Sequence, residues 1–203
     1  MTFHRSFVAG LVLAAISFFG PAKDAQAADG ALETFQSRHS KVIQLIQERA
    51  DNNTIQAEVD RLLDYHSLVE TSLGGALRYP NRCEPRCDEF EALLTRLIRE
   101  NYLKRIKTDK KYELTYLGED KRPLTTRVTT QIKHTKNGKE EVVEVVYVMH
   151  KVGDDWKVED IVTEGVSLAK NYKFEFNKIL KDQGIDELIR RLEAKLNELA
   201  KKD

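Results

Sequence analysis

The sequence predicts an α+β fold, with an antiparallel sheet of about four strands packed by N- and C-terminal helices. Three observations predict it. Apolar residues recur at helical spacing from Leu32 to Leu103, at a period of two from Tyr112, and at helical spacing again from Leu168 to Leu196. Asn137-Gly138 and Gly153-Asp154 separate strand-like runs, as tight hairpin turns require. Helices, then strands, then helices, without the regular strand–helix alternation of a parallel sheet, is the α+β order.

The chain opens "MTFHRSFVAGLVLAAISFFGPAKDAQAADG". His4 and Arg5 precede an apolar run from Phe7 to Phe19, Gly20-Pro21 breaks it, and Ala25-Gln26-Ala27 has the small-x-small form of a cleavage site. That order is a secretory signal peptide cut after Ala27. The alternative is an uncleaved anchor, but a run of roughly 13 apolar residues is shorter than the ~20 a spanning helix needs. The expected organisation is therefore a signal peptide at 1–27 and a single exported domain at 28–203, long enough to bury a sizeable core.

Lys and Arg number 33, as do Asp and Glu. Removing Arg5, Lys23 and Asp24 with the signal segment leaves a net charge of about −1. Nucleic acid is not an expected partner, because phosphate binding calls for a basic surplus. Arg96, Arg99, Lys104, Arg105, Lys107, Lys110 and Lys111 form a local basic run, read as a solvated helix face rather than a headgroup or partner site.

A first helix carries Leu32, Phe35, Val42, Ile43 and Ile46 on one stripe. A second is expected from a Thr54 cap to Gly74-Gly75, with Ile55, Val59, Leu62, Leu63 and Leu68. A third follows Pro85 at its first position and shows Phe90, Leu93, Leu94, Leu97, Ile98, Tyr102 and Leu103 along a wide face. Between them lie Cys83 and Cys87, which in an exported chain read first as a structural disulfide stapling the helix start. Further Cys or His ligands for zinc are absent nearby, and so is the His that would follow a C-x-x-C haem motif.

"YELTYLG", "PLTTRVTTQIKHT", "EEVVEVVYVMHKV" and "WKVEDIVTEG" are the four strands. The third has Val143, Val145, Tyr147 and Met149 on one face and Val142, Val146 and Val148 on the other, so it belongs in mid-sheet, covered at least partly on both sides. Its register against Trp156–Val162 depends on a two- or three-residue turn and stays open. A helix from Leu168 carries Tyr172, Phe176, Ile179 and Leu180, and a last one after Gly184 carries Ile185, Leu188, Ile189, Leu192 and Leu196.

Chemistry-bearing motifs are scarce. His39, His66, His134 and His150 lack zinc-site spacing, and neither G-x-S-x-G nor a Gly-rich phosphate loop occurs, so no metal, cofactor or catalytic set is expected. Asp64, Tyr65 and His66 are adjacent, but neighbours on a helix point apart. Asp160 and Glu164 read as turn-bonded acids and Ser167 as a helix cap.

"WKVEDIVTEGVSLAKNYKFEFNKIL" followed by "GIDELIRRL" resembles the MlaC family of periplasmic phospholipid-transport proteins, also described as toluene-tolerance proteins. The residues carrying the resemblance are Trp156, Asp160, Glu164, Gly165, Val166, Ser167, Asn171, Tyr172, Lys173, Phe176, Gly184, Ile185 and Asp186. Upstream, "LLDYHSLVETSLGGALR" and "FEALLTRLIRENYLKRI" resemble the family's Asp-aromatic segment and long helix, while the Cys83/Cys87 insertion and the lack of an aromatic soon after Leu73-Gly74 depart from its pattern.

The resemblance implies a nuclear-transport-factor-like fold with an apolar pocket. It also implies a monomeric shuttle, not an enzyme, carrying phospholipid by its two acyl chains. Its partners would be an outer-membrane lipoprotein complex and an inner-membrane ABC transporter with an MCE-domain ring. Two chains of roughly 15 methylenes, at about 0.8 kcal/mol each, would cost on the order of 20 kcal/mol to bring into water. The expected tail contacts are Leu94, Ile98 and Tyr102 from the long helix, Val128, Val145, Tyr147 and Met149 from the sheet, and Val166, Tyr172 and Phe176 from the closing segment. Gly165 is expected to permit close backbone approach beside Val166. Two competing readings remain. One is an exported enzyme on such a fold with Asp160, Glu164 or Tyr147 pointing into the pocket, and the other is an adaptor that binds protein alone.

Overall fold

In a computed structural model, residues 30–107, 112–136 and 138–201 are described. The expected signal peptide, Lys110 and Lys111 of the basic run and Asn137 of the first hairpin turn lie outside them. Helices α1 (Ala31–Gln47), α2 (Asn52–Leu62), α3 (Tyr65–Ser72), α4 (Tyr79–Cys83) and α5 (Cys87–Ile106) come first. Strands β1 (Tyr112–Lys121), β2 (Thr126–Lys136), β3 (Lys139–Val152), β4 (Asp155–Thr163) and β5 (Val166–Ser167) follow, and α6 (Leu168–Ala200) closes the chain. The α+β order is as the periodicity predicts, with a two-residue fifth strand added.

The sheet is antiparallel in the order β1-β2-β3-β4-β5, which puts β3 in the middle. Gly138 and Gly153 turn at φ of 75° and 63°, a conformation that costs glycine little. On β3, Val145, Tyr147 and Met149 are buried under the helices, while Val142 on the other face is exposed and Val146 pairs with the buried Val162. A bulge between Val148 and Met149 decides the open register, pairing Val148 with Asp160 and Met149 with Val158.

Three helical expectations are corrected. The helix expected from Thr54 to Gly74 is two helices, because Leu63 leaves the helical path to bridge Val158 on β4, and Asp64 then caps α3 by accepting from the Ser67 N–H at 3.1 Å. The cap of α2 is Asp51, which accepts from the N–H groups of Asn53 and Thr54. Pro85 does not open α5 either. Cys83 ends α4 and Cys87 begins α5, and the disulfide between them joins the two helices. The second strand starts at Thr126, leaving Pro123 and the exposed Leu124 in the preceding turn. The last helix is one element kinked at Gly184, where φ is 76°, so the break falls where the sequence places it.

α1 lies on the inner face of the sheet. The Phe35 ring is 4.2 Å from that of Tyr147 and stacks on His39 at 5.0 Å. The Leu32 N–H donates to Glu119 Oε2 at 3.0 Å, placing a carboxylate at the helix N-terminus where the macrodipole favours it. α5 and α6 pack on one another through Phe90 and Phe176, 5.8 Å apart edge to face.

Burial lowers the His39 pKa to about 4, with the ring 3.0 Å from the Tyr116 hydroxyl. Below the ordinary histidine pKa of ~6.5 the unfolded chain takes up a proton that folded His39 refuses. Stability is thus complete above pH 6.5 and falls as pH drops toward about 4. About 3 kcal/mol is expected to go across that window. Melting curves against pH measure it, and the slope is expected to flatten in His39→Gln; an equally steep slope in the variant contradicts the assignment.

Replacing Cys83 and Cys87 with Ser opens a short loop, so a loss of about 1 to 2 kcal/mol and a melting point a few degrees lower are expected. An unchanged melt would show that the staple between α4 and α5 contributes nothing.

Candidate functional site

The inner face of the sheet is a set of cross-strand rows. Tyr112 and His134 face Glu141 at one end; Leu114, Ile132 and Val143 form the next row; Tyr116, Thr130, Val145, Thr163 and Val166 the third. Val128, Tyr147 and Ile161 form the fourth, and Thr126, Met149 and Val158 the last. Neighbours across strands share a face, so these side chains all look toward the helices.

Eight of the ten expected tail contacts lie in the closed part of this interior. Leu94, Ile98 and Tyr102 on α5, with Val128, Tyr147, Met149 and Phe176, are at most 6% exposed and belong to one apolar core. Val145 is buried one row nearer the Leu114 end. Tyr172 is half-buried and stacks on Phe176 at 5.3 Å.

Val166 stands apart. It lies in the Val145 row at the open edge of the sheet and is 61% exposed. Gly165 does not mediate a close approach, since no atom lies within 4 Å of where a Cβ would sit. With Glu164 at φ 50° and Gly165 at 78°, it instead makes the tight turn from β4 to β5.

A cleft of about 750 Å³ opens at the Leu114 end, between the second half of α1, the end of α5 and the near ends of β1 and β2. Ile43, Ile46, Ile106 and Leu114 supply its apolar wall, and Gln47, Glu113, Lys133, His134, Thr135 and Glu140 its polar part. Its volume falls in the ~300–1,000 Å³ range of small-ligand sites. Ile46 and Ile106 also pack against the main core, so the apolar wall is continuous with the interior. Ile106 and Leu114 are not among the tail contacts expected from the sequence. The signal was present: Ile106 continues Leu94, Ile98 and Tyr102 in steps of four along α5, and Leu114 continues the alternation from Tyr112.

Polar groups inside this wall are few. The Tyr102 hydroxyl is buried without a hydrogen-bond partner among the described residues, and burial pushes its pKa well up. Burial does the same to Tyr147 beside it. Nδ1 of His134, in the cleft wall, is also buried and unpartnered.

The acids and histidines weighed for chemistry have other work. Asp160 accepts from the N–H groups of Ile161 and Ala169 and from the Ser167 hydroxyl, while Ser167 caps α6 by accepting from the Lys170 N–H at 3.1 Å. Glu164 accepts from the Glu144 N–H. Asp64, Tyr65 and His66 point apart, to His150, Asp60 and Glu91 respectively. In the basic run, Arg99 pairs with Asp60 at 2.8 Å and Arg96 with Glu100 at 2.6 Å, as on a solvated helix face. No group of three or more His, Cys, Asp or Glu suited to a metal occurs among the described residues.

The phospholipid-binding protein from Ralstonia solanacearum, solved in complex with a phospholipid, matches this fold with a TM-score of 0.67 at 20% identity, over 85% of this chain and 99% of that one. No curated protein sequence matches the chain. The family model described as MlaC protein matches residues 25–194, which takes in every helix and strand except the last residues of α6. By that match this chain belongs to the MlaC family.

Proposed function

We propose that this protein is a periplasmic phospholipid carrier, exported by a cleaved signal peptide at 1–27, which holds both acyl chains of its cargo between α5, α6 and the inner face of the sheet. The observation that carries the reading is the MlaC match over residues 25–194. The likeness of fold to a protein solved with a phospholipid supports it. So does the apolar wall that runs from the cleft at Ile106 into the core.

In this reading the tails enter by the cleft end, while Tyr172 stacks on Phe176 and Val166 stands at the far, β5 edge of the sheet. The tails reach toward Val145, Tyr102, Ile98 and Leu94, with Val128, Tyr147, Met149 and Phe176 beyond. The headgroup stays at the polar part of the cleft, in water. Most of the on-the-order-of-20 kcal/mol cost of wetting two tails is then avoided, while headgroup selectivity is weak. The carrier shuttles, as a monomer, between an outer-membrane lipoprotein complex and an inner-membrane ABC transporter bearing an MCE-domain ring.

Native mass spectrometry of the chain purified from the periplasm in mild buffer is expected to show a mass increment of one diacyl phospholipid. A small polar ligand in its place would favour the enzyme reading, and repeated preparations without lipid would remove the carrier.

A further inference from the structure

We propose that the outward face of the first half of α6 docks the protein on the surface of an anionic phospholipid bilayer. Tyr172 and Phe176 carry the packing of this half-helix, and Phe174 points the opposite way, 80% exposed. Among the residues of α6 it is the one large apolar side chain left in water. Lys170, Lys178 and Lys181, at i−4, i+4 and i+7 from Phe174, share its face and are exposed, and Lys173 stands beside them. None of these four lysines has an ion-pair partner among the described residues. Arg82, hydrogen-bonded to Asn177, adds a cation at the rim. Glu175 and Asp182 flank the face on one side, about a quarter-turn from Phe174, as Lys173 does on the other, and Glu175 accepts from Asn171.

The full chain has zero formal net charge, so this is a local concentration of cations rather than general basicity. A lone aromatic ringed by long, unpaired lysines suits an anionic lipid surface. The ring enters the boundary between headgroups and acyl chains while the ammonium groups meet phosphates. A stable protein partner would instead be met by a contiguous apolar centre, which this face lacks. Gly184 kinks the helix at the far end of the face, and β5 precedes its near end. A bilayer docked here therefore stands next to the Val166 edge. The inference goes beyond the carrier reading and does not depend on it.

The test is co-sedimentation of residues 28–203, which carry every described element, with vesicles of phosphatidylcholine alone or of equimolar phosphatidylcholine and phosphatidylglycerol. Binding to the anionic vesicles that fades with rising salt, with little to the neutral ones, is expected. Phe174→Ser is expected to weaken it about tenfold, and Lys170→Gln with Lys178→Gln about 25-fold, with melting curves unchanged because all three side chains are exposed. Equal binding to neutral vesicles, wild-type affinity in both variants, or no binding at low salt overturns the proposal; the last result would leave an acidic protein as the occupant of this face. Lipid extracted from the same preparations separates the two readings. Variants that keep their cargo but lose the vesicles isolate docking from carriage, and a cargo-free protein that still binds vesicles leaves docking standing without the carrier.

Discussion

Ile106→Glu is expected to give a protein that folds and holds no phospholipid. Ile106 is the last residue of α5, half-buried, and part of the apolar wall of the cleft. With lipid bound, a carboxylate here must either ionise among acyl chains or stay protonated at a raised pKa, and either costs several kcal/mol. Without lipid the cleft admits water to the same carboxylate, so the fold loses only about 1 kcal/mol of packing. Several kcal/mol is a hundredfold or more in affinity, enough to strip cargo during purification. Phosphate analysis of extracted lipid, run beside a thermal melt, reads both quantities. Wild-type cargo in the variant would show that the tails do not pass this wall. Val166→Glu is the matched control. A side chain 61% exposed keeps its charge in water, so a smaller loss of cargo is expected there.

Phe35→Ala is expected to cost about 3 to 5 kcal/mol and to lower the melting point by roughly 10 °C. Phe35 is fully buried and holds α1 to the sheet through Tyr147 and Tyr116, with ring centroids at 4.2 and 6.1 Å, and it stacks at 5.0 Å on His39 of its own helix. Truncation opens a cavity beside His39 and lets water reach the imidazole. The acid sensitivity assigned to His39 is therefore expected to shrink in the same variant. A loss below about 1.5 kcal/mol would mean the site collapses around the gap and α1 is only loosely seated.

Much of the protein was legible because each element reads from its own residues. The change of period at Tyr112, the turns at Gly138 and Gly153, the Ser167 cap and the Gly184 break all depend on conformational preferences within a few residues. The disulfide was legible from the close spacing of its cysteines and from the expected export. The split between α2 and α3 was not, because Leu62 and Leu63 continue the apolar stripe without a flaw. What interrupts it is a strand almost a hundred residues later, when Val158 takes Leu63 as a bridge partner. The cleft was half legible: Ile106 extends the stripe chosen for the site, yet periodicity does not distinguish a residue beside a gap from one beside another side chain.

By itself, then, the sequence determined the α+β order, the central place of β3, the Ser167 cap, the Gly184 break and, through Trp156 to Asp186, the family. Tertiary structure alone decided the register of β4, which rests on where a bulge falls. It decided that Val166 sits at an open edge while Val145, in the same cross-strand row, is buried. It also decided that the cleft opens at Ile106 and Leu114 rather than among the residues with the strongest motif. The division follows from range. Hydrogen-bonding and φ preferences act over a few residues and are written in the local string, whereas burial depends on which distant surfaces meet, and those are fixed only when the whole chain packs.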